Sequence, residues 1–89
     1  MKQRTVPFVY MLECSDGTFY TGWAVDLARR LAAHNAGRGA RYTKGRRPVR
    51  LAYQEVADSP SRARLREAAL RRLKRKDKIA LCERGTKNG

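Results

Sequence analysis

Two tyrosines lie in short apolar segments near the start of the chain, Phe8-Val9-Tyr10 and Tyr20-Thr21-Gly22. Segments of this composition usually form half-buried strands, so each tyrosine alone is most simply a packing residue. A phenol can also act as a general base toward water when a nearby cation lowers its pKa from the usual ~10. Two such tyrosines could serve hydrolytic chemistry if both side chains point to the same face of a sheet.

A helical segment after the second tyrosine carries Arg30 and His34 one turn apart. Leu27 and Leu31 mark its apolar stripe, and the helical period places Arg30 and His34 on or beside that stripe and Arg29 nearly opposite. Polar residues at positions where the periodicity of a helix predicts apolar ones often mark a functional site. Arg30 offers a planar fork to a phosphate, and His34 is either a packed histidine or a group that handles a proton.

Glu67 is the single acidic residue of a predicted helix over 59–74 that is otherwise rich in arginine and lysine. One interpretation is an exposed ion pair with Arg71 four residues later, worth about 0.3–0.5 kcal/mol. The other is a metal ligand, because Mg²⁺ is usually held by one or two carboxylates, with waters and a substrate phosphate completing its shell. The sequence of this helix alone is compatible with both the ion pair and the metal ligand.

The segment 37–47 combines three glycines with five basic residues and a tyrosine. Glycines let a backbone approach a phosphate closely, and basic side chains contact phosphates without reading the base sequence. We therefore predict that this segment contacts nucleic acid through Arg38, Arg41, Tyr42, Lys44 and Arg46.

Charge and composition narrow the class of partner. The chain has 89 residues and a net charge of +13, which would repel itself in a compact fold unless a polyanion neutralised it. The expected partner is a nucleic acid, DNA or RNA. No segment approaches the ~20 apolar residues of a membrane span and no signal-peptide core is present, so we expect a cytoplasmic protein without a membrane role. The two cysteines and one histidine suggest neither a zinc site nor a disulfide framework.

The loop between the first two strands decides where the tyrosines point. A two-residue loop at Asp16-Gly17 would pair Tyr20 with Glu13 and place the tyrosines on opposite faces of the sheet. A three-residue loop at Ser15-Asp16-Gly17, with its glycine in the left-handed conformation, would pair Tyr20 with Leu12 and place both tyrosines on one face. We favour the three-residue loop.

The remaining pattern predicts one α+β domain over residues 6–83 in the order β-β-α-β-α-α. Asp26 should cap the first helix, and Asp58 or Ser59 the second. Leu51 and Tyr53 are expected on the same face of the third strand. Residues 84–89 are expected to form a disordered tail. The predicted strands cover 6–14, 18–23 and 49–56, and the predicted helices cover 26–35, 59–74 and 75–83.

These residues together resemble the GIY-YIG endonuclease domain, in particular the small stand-alone bacterial proteins of that family. Phe8-Val9-Tyr10 stands at the GIY position and Tyr20-Thr21-Gly22 at the YIG position, so Phe8 replaces the glycine and Thr21 the isoleucine. Arg30 matches the helix arginine of the family, and Glu67 its metal-binding glutamate. The segment from His34 to Thr43 is similar to that of the small stand-alone subgroup. The resemblance covers about Phe8 to Leu81.

The resemblance implies a three-stranded antiparallel sheet flanked by helices and a one-metal hydrolysis of DNA phosphodiester bonds. It implies that Glu67 holds Mg²⁺ or Mn²⁺, that Arg30 contacts the scissile phosphate, and that Tyr20 or Tyr10 acts with His34 on the nucleophilic water. Single strands, flaps or branched DNA chosen by shape are the expected substrates, unless a partner protein guides the enzyme. The alternatives are a non-catalytic DNA- or RNA-binding module and, more weakly, a ribosome-associated accessory protein; the lone acid on a basic helix favours the enzyme.

Overall fold

The computed structural model describes the backbone of residues 6–87 and the side chains of residues 6–85. Its three strands form one antiparallel sheet in the order β2-β1-β3. The predicted α+β class and three-stranded antiparallel sheet are confirmed. The elements in chain order are β1 (Phe8–Glu13), β2 (Phe19–Ala24), α1 (Leu27–Asn35), α2 (Arg41–Lys44), β3 (Arg50–Val56), α3 (Pro60–Arg71) and α4 (Arg75–Lys87).

The β1–β2 hairpin closes with the predicted three-residue loop. The amide of Gly17 donates to the carbonyl of Cys14 at 2.9 Å, and the amide of Cys14 donates to the carbonyl of Thr18 at 2.8 Å. Gly17 has φ +85°, the left-handed conformation that this loop requires. Leu12 therefore pairs with Tyr20, and both tyrosines lie on one face as predicted.

Helices cover both faces of the sheet, because β1 is apolar on both sides. Val9, Met11 and Leu12 have no exposed surface. One core cluster joins β1 to α1 and contains Tyr10, Leu12, Cys14, Leu27 and Leu31. The opposite cluster joins β1 to α3 and α4 and contains Val9, Ala63, Leu70, Leu73 and Leu81.

The prediction that Leu51 and Tyr53 share a face of the third strand is wrong. Met11 pairs with Tyr53 whereas Leu12 pairs with Leu51, so a bulge leaves one extra residue on β3 between them. A bulge reverses the alternation of side chains at that point. Leu51 consequently packs in the α1 cluster, and Tyr53 packs in the α3–α4 cluster.

The helix caps follow the sequence signals. The Asp26 carboxylate accepts from the amide of Arg29 at 3.0 Å at the start of α1. Ser59, one of the two predicted caps, accepts from the amide of Arg62 at 3.2 Å at the start of α3, where Pro60 is the first helical residue. The short helix α2 was not predicted and lies inside the glycine-rich segment 37–47.

The prediction of a disordered tail over 84–89 is wrong for residues 84–87, where α4 continues to Lys87. The helix persists because its last turns pack on the sheet: an added Cβ at Gly85 would lie 2.8 Å from the ring of Tyr53. Residues 88–89 lie outside the described residues. Among the described helices, none is long and apolar enough to cross a membrane.

Candidate active site

A cleft of about 710 Å³ opens beside the edge strand β2, between the start of α1 and the middle of α3. Tyr10, Tyr20, Arg30 and Glu67 all line it, so four of the five predicted catalytic residues meet at one place. His34, the fifth, lies directly behind Tyr10. A cavity of about 810 Å³ lies between α3 and α4, but none of the predicted site residues lines it.

Gly22 allows the two tyrosines to approach each other. It pairs with Tyr10 across the β1–β2 ladder. A Cβ added at Gly22 would lie 2.6 Å from the Tyr10 hydroxyl oxygen and 3.2 Å from the Tyr20 ring. Both distances are shorter than van der Waals contact, so a larger residue at the end of the Tyr20-Thr21-Gly22 segment would displace the tyrosines.

His34 joins the tyrosines to the interior of the protein. It is 1% exposed, and each of its ring nitrogens has a side-chain partner. Nε2 lies 3.1 Å from the Tyr10 hydroxyl oxygen, and Nδ1 lies 2.9 Å from the Thr43 hydroxyl oxygen. The Tyr20 ring packs on the imidazole with the two centroids 5.2 Å apart. The geometry therefore gives His34 a packing role and also a direct path for a proton to or from Tyr10.

Burial sets the acid–base properties of this pair. Burial raises the pKa of Tyr10 well above its ordinary value, the neighbouring Tyr20 raises it further, and the positive charge of Arg30 acts in the opposite direction. Burial also lowers the pKa of His34, and Arg30 adds to this effect. At neutral pH the site therefore holds a protonated phenol beside an uncharged imidazole.

Arg29 and Arg30 were placed from the sequence relative to the apolar stripe of α1, and the structure shows where the two side chains lie relative to the cleft. Both side chains are exposed and both line the cleft, so Arg29 does not point away from the site. The cleft meets α1 on the side that carries Arg29, Arg30 and Ala33, whereas Leu27 and Leu31 face the core. Of the two arginines, only Arg30 is recorded as shifting the pKa values of Tyr10 and His34.

Glu67 makes the ion pair that the sequence allowed, and it also lines the cleft. Its carboxylate is ion-paired with Arg71 on the same helix face, and it also lines the cleft with 17% of its side chain exposed. Asp26 is the other acid of the cleft, but its carboxylate caps α1. Within residues 6–85, no cluster of three or more His, Cys, Asp or Glu side chains could hold a metal. One available carboxylate fits a hard cation that completes its shell with water and a substrate phosphate.

The predicted nucleic-acid-binding residues divide into two groups. Arg38, Arg41, Tyr42 and Lys44 are exposed, and the Tyr42 ring stacks on Tyr20 with the centroids 6.2 Å apart. Arg46 is engaged within the protein: its Nε donates to Asp16 at 3.0 Å and its Nη1 donates to the Tyr42 carbonyl at 2.7 Å. Its guanidinium also lies 3.9 Å from the centre of the Tyr42 ring. Arg46 thus joins the β1–β2 loop to α2.

Three residues around His34 were not identified as site residues from the sequence. Thr43 contacts Nδ1 as described above, and a Cβ added at Gly39 would lie 2.2 Å from the same nitrogen. Asn35 joins the end of α1 to the residue before β3, accepting from the Val49 amide at 2.7 Å and donating to its carbonyl at 2.9 Å. The sequence did contain a sign of two of them, because Gly39 and Thr43 belong to the segment by which the chain resembles the small stand-alone subgroup.

The chain is similar to known proteins over most of its length. Residues 6–80 match the GIY-YIG catalytic domain. A UPF0213 protein of Halobacterium salinarum is 55% identical over 73 residues, which are 82% of this chain and 95% of that protein. The solution NMR structure of the UPF0213 protein BH0048 from Bacillus halodurans is 40% identical, with a TM-score of 0.54 and coverage of 86% and 82%. The solution NMR structure of the protein EF2693 from E. faecalis is 38% identical, with a TM-score of 0.59, and the match covers 90% of this chain and 85% of that chain.

Proposed function

The chain belongs to the GIY-YIG family of catalytic domains, a nuclease family, and from that premise we propose that it is a metal-dependent endonuclease that hydrolyses DNA phosphodiester bonds. The observation that carries the proposal is the cleft in which Tyr10, Tyr20, Arg30 and Glu67 meet. Binding alone would not require a carboxylate there, because a negative charge repels the phosphates of the nucleic acid.

Arg30 is the group proposed to bind the scissile phosphate. It is exposed at the cleft wall, and no acidic partner of its guanidinium is recorded within the described residues. A guanidinium presents paired N–H donors in a fixed plane, which suits the extra negative charge on phosphoryl oxygens in the transition state.

Glu67 is the proposed ligand of a Mg²⁺ or Mn²⁺ ion. Its carboxylate is ion-paired with Arg71, whose side chain is 60% exposed. The proposed ion would take the place of Arg71 at this carboxylate. The chemistry that such an ion supplies when bound is neutralisation of the developing charge at the scissile phosphate.

Tyr10 or Tyr20, together with His34, is proposed to orient and deprotonate the nucleophilic water. Both tyrosines line the cleft, and His34 contacts the hydroxyl of one and the ring of the other. The uncharged imidazole beside them can accept a proton at neutral pH. Water activation is therefore assigned to the two tyrosines and His34.

The proposed substrates are single strands, flaps or branched DNA chosen by shape. The exposed cations of segment 37–47 suit phosphate contacts, which carry no sequence information by themselves. A partner protein would then be the source of any finer targeting. We also propose that the protein is cytoplasmic.

A cleavage panel tests the proposal. Single-stranded, flap, junction and plain duplex DNA of matched sequence, with RNA counterparts, would be incubated with the purified chain and Mg²⁺, Mn²⁺ or a chelator. We expect metal-dependent cleavage, faster on unpaired or branched DNA than on plain duplex. A Glu67→Ala preparation made in parallel controls for contaminating nucleases. Tight binding without cleavage in any metal would instead support the non-catalytic binding module.

A further inference from the structure

Thr43 occupies a position from which it can fix the protonation pattern of His34. It lies in α2 with no exposed surface. Its hydroxyl oxygen is 2.9 Å from the carbonyl oxygen of Ala40 and 2.9 Å from Nδ1 of His34. The distance to Nδ1 is at the centre of the range for N–H···O hydrogen bonds, and the distance to the Ala40 carbonyl oxygen is within the range for O–H···O hydrogen bonds. One hydroxyl thus bridges a backbone carbonyl and an imidazole nitrogen in a dry environment.

Counting protons decides which group donates. The Thr43 hydroxyl has one proton, and the Ala40 carbonyl can only accept. Both 2.9 Å contacts are hydrogen bonds only if Thr43 donates to Ala40 and the Nδ1–H of His34 donates to Thr43. The Ala40 amide, 3.4 Å from Nδ1, would favour the opposite arrangement, but one contact at the long limit is weaker than the short bond it would replace.

The proton on Nδ1 determines the chemistry at the other nitrogen. A neutral imidazole with Nδ1–H has a lone pair on Nε2. Nε2 lies 3.1 Å from the Tyr10 hydroxyl oxygen, so Tyr10 donates its proton to His34. The lone pairs of the Tyr10 oxygen are then available to a water in the cleft, which Tyr10 lines. The opposite tautomer would donate Nε2–H to Tyr10 and could not take up its proton.

We propose that Thr43 is a positioning residue that holds His34 in the Nδ1–H tautomer, so that Nε2 is the acceptor for the Tyr10 hydroxyl proton. This rests on the proposed hydrolysis. As the water oxygen bonds to phosphorus, the P–O bond to the leaving strand breaks, and the leaving oxygen keeps the electron pair and takes up a proton from solvent water. The O–H bond of the attacking water breaks, and a new O–H bond forms on Tyr10. The original Tyr10 O–H bond breaks and an N–H bond forms on Nε2. The imidazolium balances the negative charge that the water oxygen carries to the phosphate.

The tautomer can be measured directly because His34 is the only histidine of the chain. Long-range ¹H–¹⁵N correlation spectra of the ¹⁵N-labelled protein at neutral pH would give one set of imidazole signals. We expect a protonated Nδ1 and an unprotonated Nε2. Detection of the Nε2–H tautomer as the main wild-type form would overturn the proposal, whether or not any variant folds.

Thr43→Val removes the hydroxyl and leaves the Ala40 amide as the partner of Nδ1. We expect the tautomer ratio to shift toward Nε2–H by several-fold to about tenfold, which corresponds to the loss of one hydrogen bond. Thr43→Ser retains the hydroxyl and should retain the wild-type ratio. Thr21→Val is the matched control, because Thr21 is also buried but has no recorded contact with His34. An unchanged ratio in folded Thr43→Val would contradict the assignment.

Activity then separates this inference from the proposed function. In Thr43→Val we expect kcat to fall about tenfold or more with KM within about twofold, and Thr43→Ser to recover most of kcat. Equal losses in kcat and in substrate affinity would contradict a role in proton transfer. If the wild-type protein cleaves nothing, the proposed function fails, whereas the NMR result still decides whether Thr43 fixes the tautomer.

Discussion

Arg30 and Arg29 both reach the cleft but differ in their electrostatic surroundings, since the charge of Arg30 acts on both Tyr10 and His34. We predict that Arg30→Ala lowers the cleavage rate by about 10²–10³, the usual cost of removing one donor to a developing negative charge. Arg30→Lys should recover little, because a point charge lacks the planar fork. Single-turnover kinetics would measure both. If Arg29→Ala, the matched control, were equally damaged, the phosphate contact would have to be reassigned.

His34 should make the stability of the protein depend on pH. Its pKa in the folded state is lowered by burial, whereas in the unfolded chain it is about 6.5. The unfolded state therefore binds a proton more readily, so the free energy of unfolding should fall as pH drops through about 6.5 and level off below the folded pKa. Denaturant titrations from pH 8 to pH 5 would show this. The same slope in His34→Asn would assign the effect to other groups.

Some site residues could be predicted from the sequence, whereas others are placed at the site only by contacts in the folded protein. Tyr10, Tyr20 and Glu67 were predicted as site residues from their combination along the chain and from the resemblance to the GIY-YIG domain, and the structure places all three at one cleft. The role of Thr43 depends on a contact nine residues away with one particular nitrogen of His34. Whether Arg29 lines the cleft depends on the side of α1 that faces the cleft. Neither of these is a property of a local sequence pattern.

Among the elements, the β1–β2 hairpin was predictable because loop length alone decides its register. The faces of β3 were not, because the extra residue between Leu51 and Tyr53 is accommodated by pairing with β1 and leaves no mark in the sequence. Helix α2 is four residues long and sits between glycines, where local propensity is weak. The last turns of α4 form because they have a surface to pack on, as Gly85 does against Tyr53.

Strand β2 contains a buried threonine hydroxyl, that of Thr21. Among the described side chains, the Thr21 hydroxyl is the one buried polar atom without a hydrogen-bond partner. Thr21→Val should raise the free energy of unfolding by about 1 kcal/mol, because it removes this unpaired group and valine favours strands. The midpoint of thermal unfolding should rise by about 4–8 °C.

The control for Thr21→Val is Thr18→Val. The hydroxyl of Thr18 is exposed and donates to Asp16 at 2.6 Å, so its removal should not stabilise the protein. A lower unfolding midpoint for Thr21→Val would show that the Thr21 hydroxyl has a stabilising role in the folded state.

For the molecule as a whole, the described ion pairs leave most of the basic excess without a neutralising partner. Arg46, Arg50, Arg66 and Arg71 are paired with acids in the described structure. The chain has 21 basic residues against 8 acidic ones, so a polyanion would relieve substantial repulsion. We assign this role to the backbone of the nucleic acid, along segment 37–47 and the basic helical region 62–76.

Salt dependence measures the number of phosphate contacts. Affinity for single-stranded DNA should fall steeply with salt, with a logarithmic slope of roughly −0.7 per contact. Replacing Arg38, Arg41 and Lys44 together by glutamine should flatten the slope by up to about 2 and weaken binding to unrelated sequences alike. Fluorescence anisotropy at several salt concentrations would measure this.

The matched control replaces Arg50, Lys78 and Arg84 by glutamine, so that both triple variants lose the same net charge. The control should keep a slope close to that of the wild type. Equal slopes in the two triple variants would show that net charge alone governs binding, and loss of binding to a single sequence would show that segment 37–47 reads bases.

The most direct test of metal-dependent cleavage in the cleft is to measure single-turnover cleavage and equilibrium binding of the same labelled DNA by wild-type protein, Glu67→Ala and Glu83→Ala. Glu83 is an exposed acid outside the cleft, so its variant should behave as wild type. For Glu67→Ala we predict that Mg²⁺-dependent cleavage is abolished while binding is unchanged or tighter, because a negative charge beside the phosphates is removed. Cleavage by Glu67→Ala at the wild-type rate would contradict the assignment of Glu67 as the metal ligand.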